Sequence, residues 1–245
     1  MRLAEEGADV IALDSCAPVD GIAYPMATLE DLETTRDLIL KTGRRVITTV
    51  VDVRERQAPA EAVEVAVNEL GGLDIVVANA GVGALGRWND IDWQQWEAVI
   101  GVNLTGTWNT LTAAIRHLLA RGCGSVVAVS SAAGMVGLPY AQACAAAEHG
   151  VIGLIRALSS ELVEQRIRFN AVCPAGASGT GMLQAWDGMR AVDADDRMRS
   201  AFSRAFEENT VRPSDVSSAV LYLASDESRC VTGTSMPVGA SLPAF

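Results

Sequence analysis

Residues 73–81 read Leu-Asp-Ile-Val-Val-Ala-Asn-Ala-Gly, and their reading decides the fold. Ile75–Val77 is a short β-branched run with no polar alternation, and it stops at an Asn-Ala-Gly turn. A strand with one wet face alternates apolar and polar residues, whereas a strand covered on both faces does not. Val10–Leu13, Val46–Val51, Ser125–Val129 and Phe169–Val172 read the same way. Between these runs lie helical patterns at Ala58–Leu70, Trp93–Leu119, Ala141–Glu164 and Pro213–Ala224. The last opens Arg212-Pro213-Ser214-Asp215, and proline suits the first helical turn because its missing N–H has no partner there anyway. Strands alternating with helices predict an α/β, Rossmann-like, doubly wound and mostly parallel sheet with helices on both faces.

Bulk properties narrow the classes. A length of 245 residues with 49% hydrophobic content suits one α/β domain, and no repeat or linker divides 1–245. A net charge of −11 argues against nucleic acid or an anionic membrane as partner, since either needs a basic patch. Five cysteines, an odd number without a CxxC pair, read as free thiols in a reducing compartment. With no signal-peptide pattern and no long uncharged apolar stretch, a cytoplasmic protein is expected. His117 and His149 have no ligand spacing, so no metal is expected. Cys16–Glu30 and Ala175–Asn209 carry no clear pattern, and the second reads as a candidate lid. Trp88, Trp93 and Trp96 read as core packing around a helix start, and Arg44-Arg45 as a solvated pair.

Taken in order, these residues resemble the short-chain dehydrogenase/reductases over essentially the whole chain. Asn79-Ala80-Gly81 matches the family's turn, and Asn103 its structural and catalytic asparagine. Ser131 matches its catalytic serine, Cys173-Pro174-Ala175-Gly176 is similar to its Pro-Gly turn, and Val231-Thr232-Gly233 to its last strand. The connection after Asp14 resembles the carveol-dehydrogenase and mycofactocin-associated subgroup. The resemblance implies cofactor contacts at Asp14, Asp52, Val53, Asn79, Ala80 and Gly81. An acidic residue ending the second strand would hold the adenosine ribose and favour NAD. It also implies a homodimer or homotetramer.

Two departures stand out. The family carries Tyr-x-x-x-Lys on one helix face, where lysine lowers the tyrosine pKa; here Cys144 and Glu148 stand at those positions. A carboxylate beside an acid raises that acid's pKa instead. Tyr140 lies one turn earlier and is a poor substitute. The family also opens with a strand, a Gly-rich turn and a helix, whereas Met1–Gly7 reads as the tail of that helix, roughly 20–25 residues in. Val10–Leu13 and Ile75–Val77 then lack the strand between them. The halves close up, another chain fills the gap, or the start is misassigned.

Glu148 on a buried helix face is costly unless used or paired, and burial would raise its pKa into acid/base range. Cys144 is a small buried hydrophobe or an acid or nucleophile. These departures lead to the expectation of a degenerate redox site. The chain is then expected to be a cofactor-independent enzyme, of cyclase, isomerase or dehydratase type, acting on a small hydrophobic biosynthetic intermediate. Ser131, Glu148, Cys144 and Asn103 would be its catalytic residues, with no cofactor. The alternatives are a non-catalytic partner of an active paralogue, or an NAD-dependent alcohol dehydrogenase or ketoreductase with a misassigned start.

Overall fold

A computed structural model describes residues 1–182 and 211–239. The expected Ala175–Asn209 segment lies largely outside the described residues. A one-turn helix α1 (Arg2–Glu5) leads through Gly7 into β1 (Val10–Asp14). There follow α2 (Leu29–Lys41), β2 (Val46–Val50), α3 (Ala58–Leu70) and β3 (Ile75–Ala78). Next come α4 (Trp93–Val99), a π-helical turn (Ile100–Thr105), α5 (Gly106–Arg121) and β4 (Gly124–Val129). The described part closes with α6 (Gln142–Glu161), β5 (Ile167–Pro174), α7 (Pro213–Ala224) and β6 (Ser235–Val238). Every strand pairing is parallel. The architecture is the expected Rossmann-like α/β fold.

Local chemistry sets several boundaries. Thr28 and Asp31 cap the start of α2 reciprocally: the Thr28 N–H donates to Asp31 Oδ2 at 2.8 Å and the Asp31 N–H to Thr28 Oγ1 at 3.3 Å. Asp92 and Gln95 do the same for α4. α3 carries proline in its first turn and stops at Gly71, whose φ of 94° is cheap only for glycine.

The long helix expected over Trp93–Leu119 is instead three pieces. Its middle widens into the π turn, and that turn carries Asn103, whose amide grips Val82 from both sides. Such widened turns are frequent at functional sites. Trp88 and Trp93 are also corrected: they are 84% and 70% exposed, because they lie on the loop and first turn that face away from the core, while only Trp96 packs inward. Arg44 and Arg45 reach solvent, and both also hold Asp9 at 2.7 Å.

The core follows the two faces of β3–β6. Val126, Ala128 and Phe169 face α5 and α6 and pack on Leu111, Leu118 and Ile155. Val127 and Val172 face the other way, onto Val220 and Leu223 of α7. Successive strand side chains point to opposite faces, so the uninterrupted apolar runs fill both layers.

The sheet is split. β1 pairs only with β2, while β3, β4, β5 and β6 form a separate four-stranded sheet. The halves do not close up: a cleft of about 790 Å³ lies between β1 and β3, lined by Ile11, Leu13, Ile75 and Val77.

Candidate functional site

Two groups of side chains meet at the C-terminal ends of the strands, where open α/β sheets bind ligands. The first lines the cleft: Asp14, Asp52, Val53, Asn79, Ala80 and Gly81. Asp14 ends β1 and is half-buried, and its Oδ1 accepts the Cys16 N–H at 2.8 Å. That bond fixes the carboxylate while leaving its second oxygen for a ligand. Asp52 is committed differently. Arg54 chelates it, the closest contact being 2.6 Å, and this charge-assisted bonding holds the carboxyl below its ordinary range. Val53 sits against the start of α5, where a Cβ on Gly106 would come within 2.5 Å of its Cγ2. The Val53 carbonyl also accepts from Asn109 Nδ2 at 2.9 Å.

The second group is buried behind Gly81 and Val82. Asn103 Oδ1 accepts the Val82 N–H at 2.9 Å, and its Nδ2 donates to the Val82 carbonyl at 3.0 Å and to Glu148 Oε1 at 2.8 Å. Glu148 is buried on α6, and its Oε2 has no hydrogen-bond partner. Burial pushes its pKa up, opposed by the Asn103 amide. Cys144, one turn earlier, donates to the Ala84 carbonyl at 3.7 Å, and burial pushes its thiol up to about 11. A thiol held there is a proton carrier rather than a thiolate nucleophile at neutral pH.

Ser131 stands at the exit of β4 and is half-buried. Its Oγ accepts the Ala133 N–H at 3.2 Å, which leaves its own proton free to donate. Its neighbour Ser130 is spent, because its hydroxyl donates to the Glu148 carbonyl at 3.3 Å. The structure therefore joins Asn103 directly to Glu148, with Cys144 on the same helix, and brings Ser131 near through Ser130. Asp14 and Asp52 stand apart at the cleft.

Sequence reading missed Tyr24. It lies in the patternless connection before α2, and its hydroxyl accepts the Gly83 N–H at 2.8 Å, beside Ala84 that Cys144 bonds. Burial pushes its pKa up to about 12. Its partner is 59 positions away, so no local pattern could have marked it.

This arrangement defines a dinucleotide-type α/β crevice with proton-bearing groups at one end. Residues 2–240 match the family described as Enoyl-(Acyl carrier protein) reductase. The chain belongs to the short-chain dehydrogenase/reductase family. It is 38% identical to (-)-trans-carveol dehydrogenase of Rhodococcus erythropolis, over 98% of this chain and 90% of that protein. Carveol dehydrogenase from Mycobacterium avium, solved in complex with NAD, superposes with a TM-score of 0.91 at 44% identity, over 98% of this chain and 90% of that one. A short chain dehydrogenase from Mycobacterium paratuberculosis bound to NAD gives 0.94 at 36%, over 100% of this chain and 92% of that one.

These relatives overturn the expectation of a cofactor-independent cyclase or isomerase, and with it the expectation of no cofactor. The cleft positions at Asp14 and Asn79–Gly81 form a group apart from Cys144 and Glu148, so what stands at those two positions does not decide whether the cleft holds a cofactor. Among the described residues, no helix is long and apolar enough to cross a membrane.

Proposed function

We propose that this chain is an NAD-dependent dehydrogenase acting on a small apolar alcohol and its ketone. The observation that carries the reading is Asp14: a carboxylate ending β1, inside the cleft, fixed by its bond to the Cys16 N–H. Such a group accepts both hydroxyls of an adenosine ribose and repels a 2′-phosphate, which selects NAD over NADP. The residues present fit that half of the cofactor. Asp14 would hold the ribose, Val53 would pack on the adenine, and the Asn79-Ala80-Gly81 backbone would run beside the rest. The relatives solved with NAD support the same reading.

Bound NAD supplies the hydride acceptor. The chain's own residues handle the proton and the substrate oxygen. Ser131 keeps a free hydroxyl proton to hydrogen-bond that oxygen. Burial raises the Glu148 pKa, which favours its holding a proton, and Asn103 fixes the carboxyl by bonding Oε1.

The test is turnover of the full chain with NAD and a panel of small apolar secondary alcohols, followed by NADH absorbance. Activity lowered about 100-fold in Ser131→Ala is expected, as for loss of a group that polarises the reacting oxygen. A full panel without NADH formation, from folded protein, would refute the assignment.

A further inference from the structure

The main chain over residues 82–86 is held by groups from distant parts of the sequence. Asn103 bonds both the N–H and the carbonyl of Val82. The Gly83 N–H donates to the Tyr24 hydroxyl oxygen at 2.8 Å, and the Ala84 carbonyl accepts the Cys144 thiol at 3.7 Å. The Gly86 N–H donates to the Tyr140 carbonyl at 2.9 Å. The π turn, the connection after β1 and the start of α6 thus meet on one short stretch.

The proton-bearing side chains gathered there are committed to different degrees. The Cys144 proton is spent on Ala84, and Glu148 is engaged at Oε1 by Asn103. Tyr24 is engaged as an acceptor. A phenol also has one O–H to donate, and among the described residues nothing accepts it. A hydroxyl donor drawn away from water without an acceptor is costly, and a ligand oxygen would remove that cost. Burial pushes the Tyr24 pKa up to about 12, so this proton stays on the phenol at neutral pH.

The segment that carries Tyr24 is clamped in place. Ile22 and Met26, on either side of it, pack against a buried cluster that contains Ala84, Ala133 and Cys144. Ala133 is the residue whose N–H bonds Ser131 Oγ, so the cluster brings this segment to the end of the crevice that holds Ser131. Gly21, with φ of 84°, lies so close to α4 that a Cβ would stand 3.0 Å from the Gln94 backbone. Two hydroxyls with a proton to give, one from the exit of β4 and one from the connection after β1, therefore belong to one neighbourhood.

We propose that Tyr24 is the second hydroxyl of the reacting site: with Ser131 it hydrogen-bonds the substrate oxygen, and in ketone reduction it gives that oxygen its proton. The proposal rests on the dehydrogenase reading and assigns the proton donor within it. A carbonyl oxygen has two lone pairs and accepts both hydroxyls. In the reducing direction the carbonyl carbon gains a hydride from the reduced nicotinamide, and the π pair of the C=O bond moves onto oxygen. That oxygen takes the Tyr24 proton, the product is the neutral alcohol, and water reprotonates the phenolate.

The test is infrared spectroscopy of cyclohexanone, labelled at its carbonyl carbon, bound to the full chain together with NAD, which cannot reduce it. Each hydrogen bond to the carbonyl lowers its stretching frequency. The bound ketone should absorb below its position in hydrocarbon, and Tyr24→Phe and Ser131→Ala should each return it part of the way. With NADH in place of NAD, Tyr24→Phe should lower kcat/KM about 100-fold, as for one lost donor to the developing negative oxygen. If Tyr24→Phe does not fold, incorporation of 3-fluorotyrosine in a Tyr140→Phe background keeps the phenol's shape and strengthens it as a donor, and the stretch should fall further. A stretch that neither change moves, or unaltered turnover in Tyr24→Phe, would overturn the role of Tyr24 and leave the dehydrogenase reading standing. A parent chain that neither binds the ketone nor oxidises NADH would overturn both.

Discussion

Replacing Glu148 with glutamine tests the electrostatics of the buried cluster. Glu148 is 7% exposed, and its carboxyl is bonded at Oε1 by Asn103 and unpartnered at Oε2. Burial raises its pKa above the ordinary 4.5, so the folded chain binds this proton more tightly than the unfolded chain does. The stability it contributes is therefore complete below about 4.5, as in the unfolded chain, and is lost as pH rises through the folded pKa. Glutamine keeps the acceptor for Asn103 but does not titrate. One proton gives a maximum slope of about 1.4 kcal/mol per pH unit. For a domain of this size that is roughly 3–6 °C of Tm per pH unit. Thermal unfolding of both proteins from acid to mildly alkaline pH should show E148Q gaining on the parent as pH rises, then levelling off. Two curves that stay parallel across the range would refute a raised Glu148 pKa.

Other expectations follow from individual contacts. Asn103→Ala removes three bonds and leaves the Val82 N–H unpaired, so chemical denaturation should show a loss of about 2–4 kcal/mol. Gly106→Ala puts a Cβ 2.5 Å from Val53 Cγ2, and about 1–3 kcal/mol of destabilisation should appear in the same assay. Phe169→Ala empties the centre of the core and should cost about 3–5 kcal/mol. Alkylation mapped by mass spectrometry at neutral pH should label exposed Cys123 and Cys230 well before buried Cys144 and Cys173, whose thiols are both pushed up to about 11.

The parts of the fold legible in the sequence were those fixed by local chemistry. Ala58–Leu70 and Pro213–Ala224 form over the expected residues, the second because proline opens it. The five strands expected from β-branched runs all form, four shifted by one residue at one end and the fifth extended by two residues at each end, to Ile167–Pro174. Helix α2 was missed because it buries only Leu32 and Ile39 under a charged surface, so its periodicity is faint. The break inside Trp93–Leu119 was invisible because each residue there is compatible with a helix. The π turn carries Asn103, and the partner of its amide, Val82, lies 21 positions away.

At the site, Asn103, Ser131, Cys144 and Glu148 were marked by their places in motifs. The direct bond between Asn103 and Glu148, 45 positions apart, needed the folded chain. Tyr24 needed it too. The step from Cys144 and Glu148 to a cofactor-free enzyme fails because two residues at one end of the crevice do not decide what the rest of it holds. The cleft end, with Asp14 and Asn79–Gly81, is built from different strands.

Calorimetric titration of the full chain with NAD, beside Asp14→Ala and beside NADP, tests the central claim most directly. The account predicts saturable binding of NAD, weaker binding of NADP, and an affinity for NAD lowered about tenfold or more in Asp14→Ala, as for a lost charge-assisted contact. A folded chain that takes up neither dinucleotide, or an Asp14→Ala variant that binds NAD as well as the parent, would contradict it.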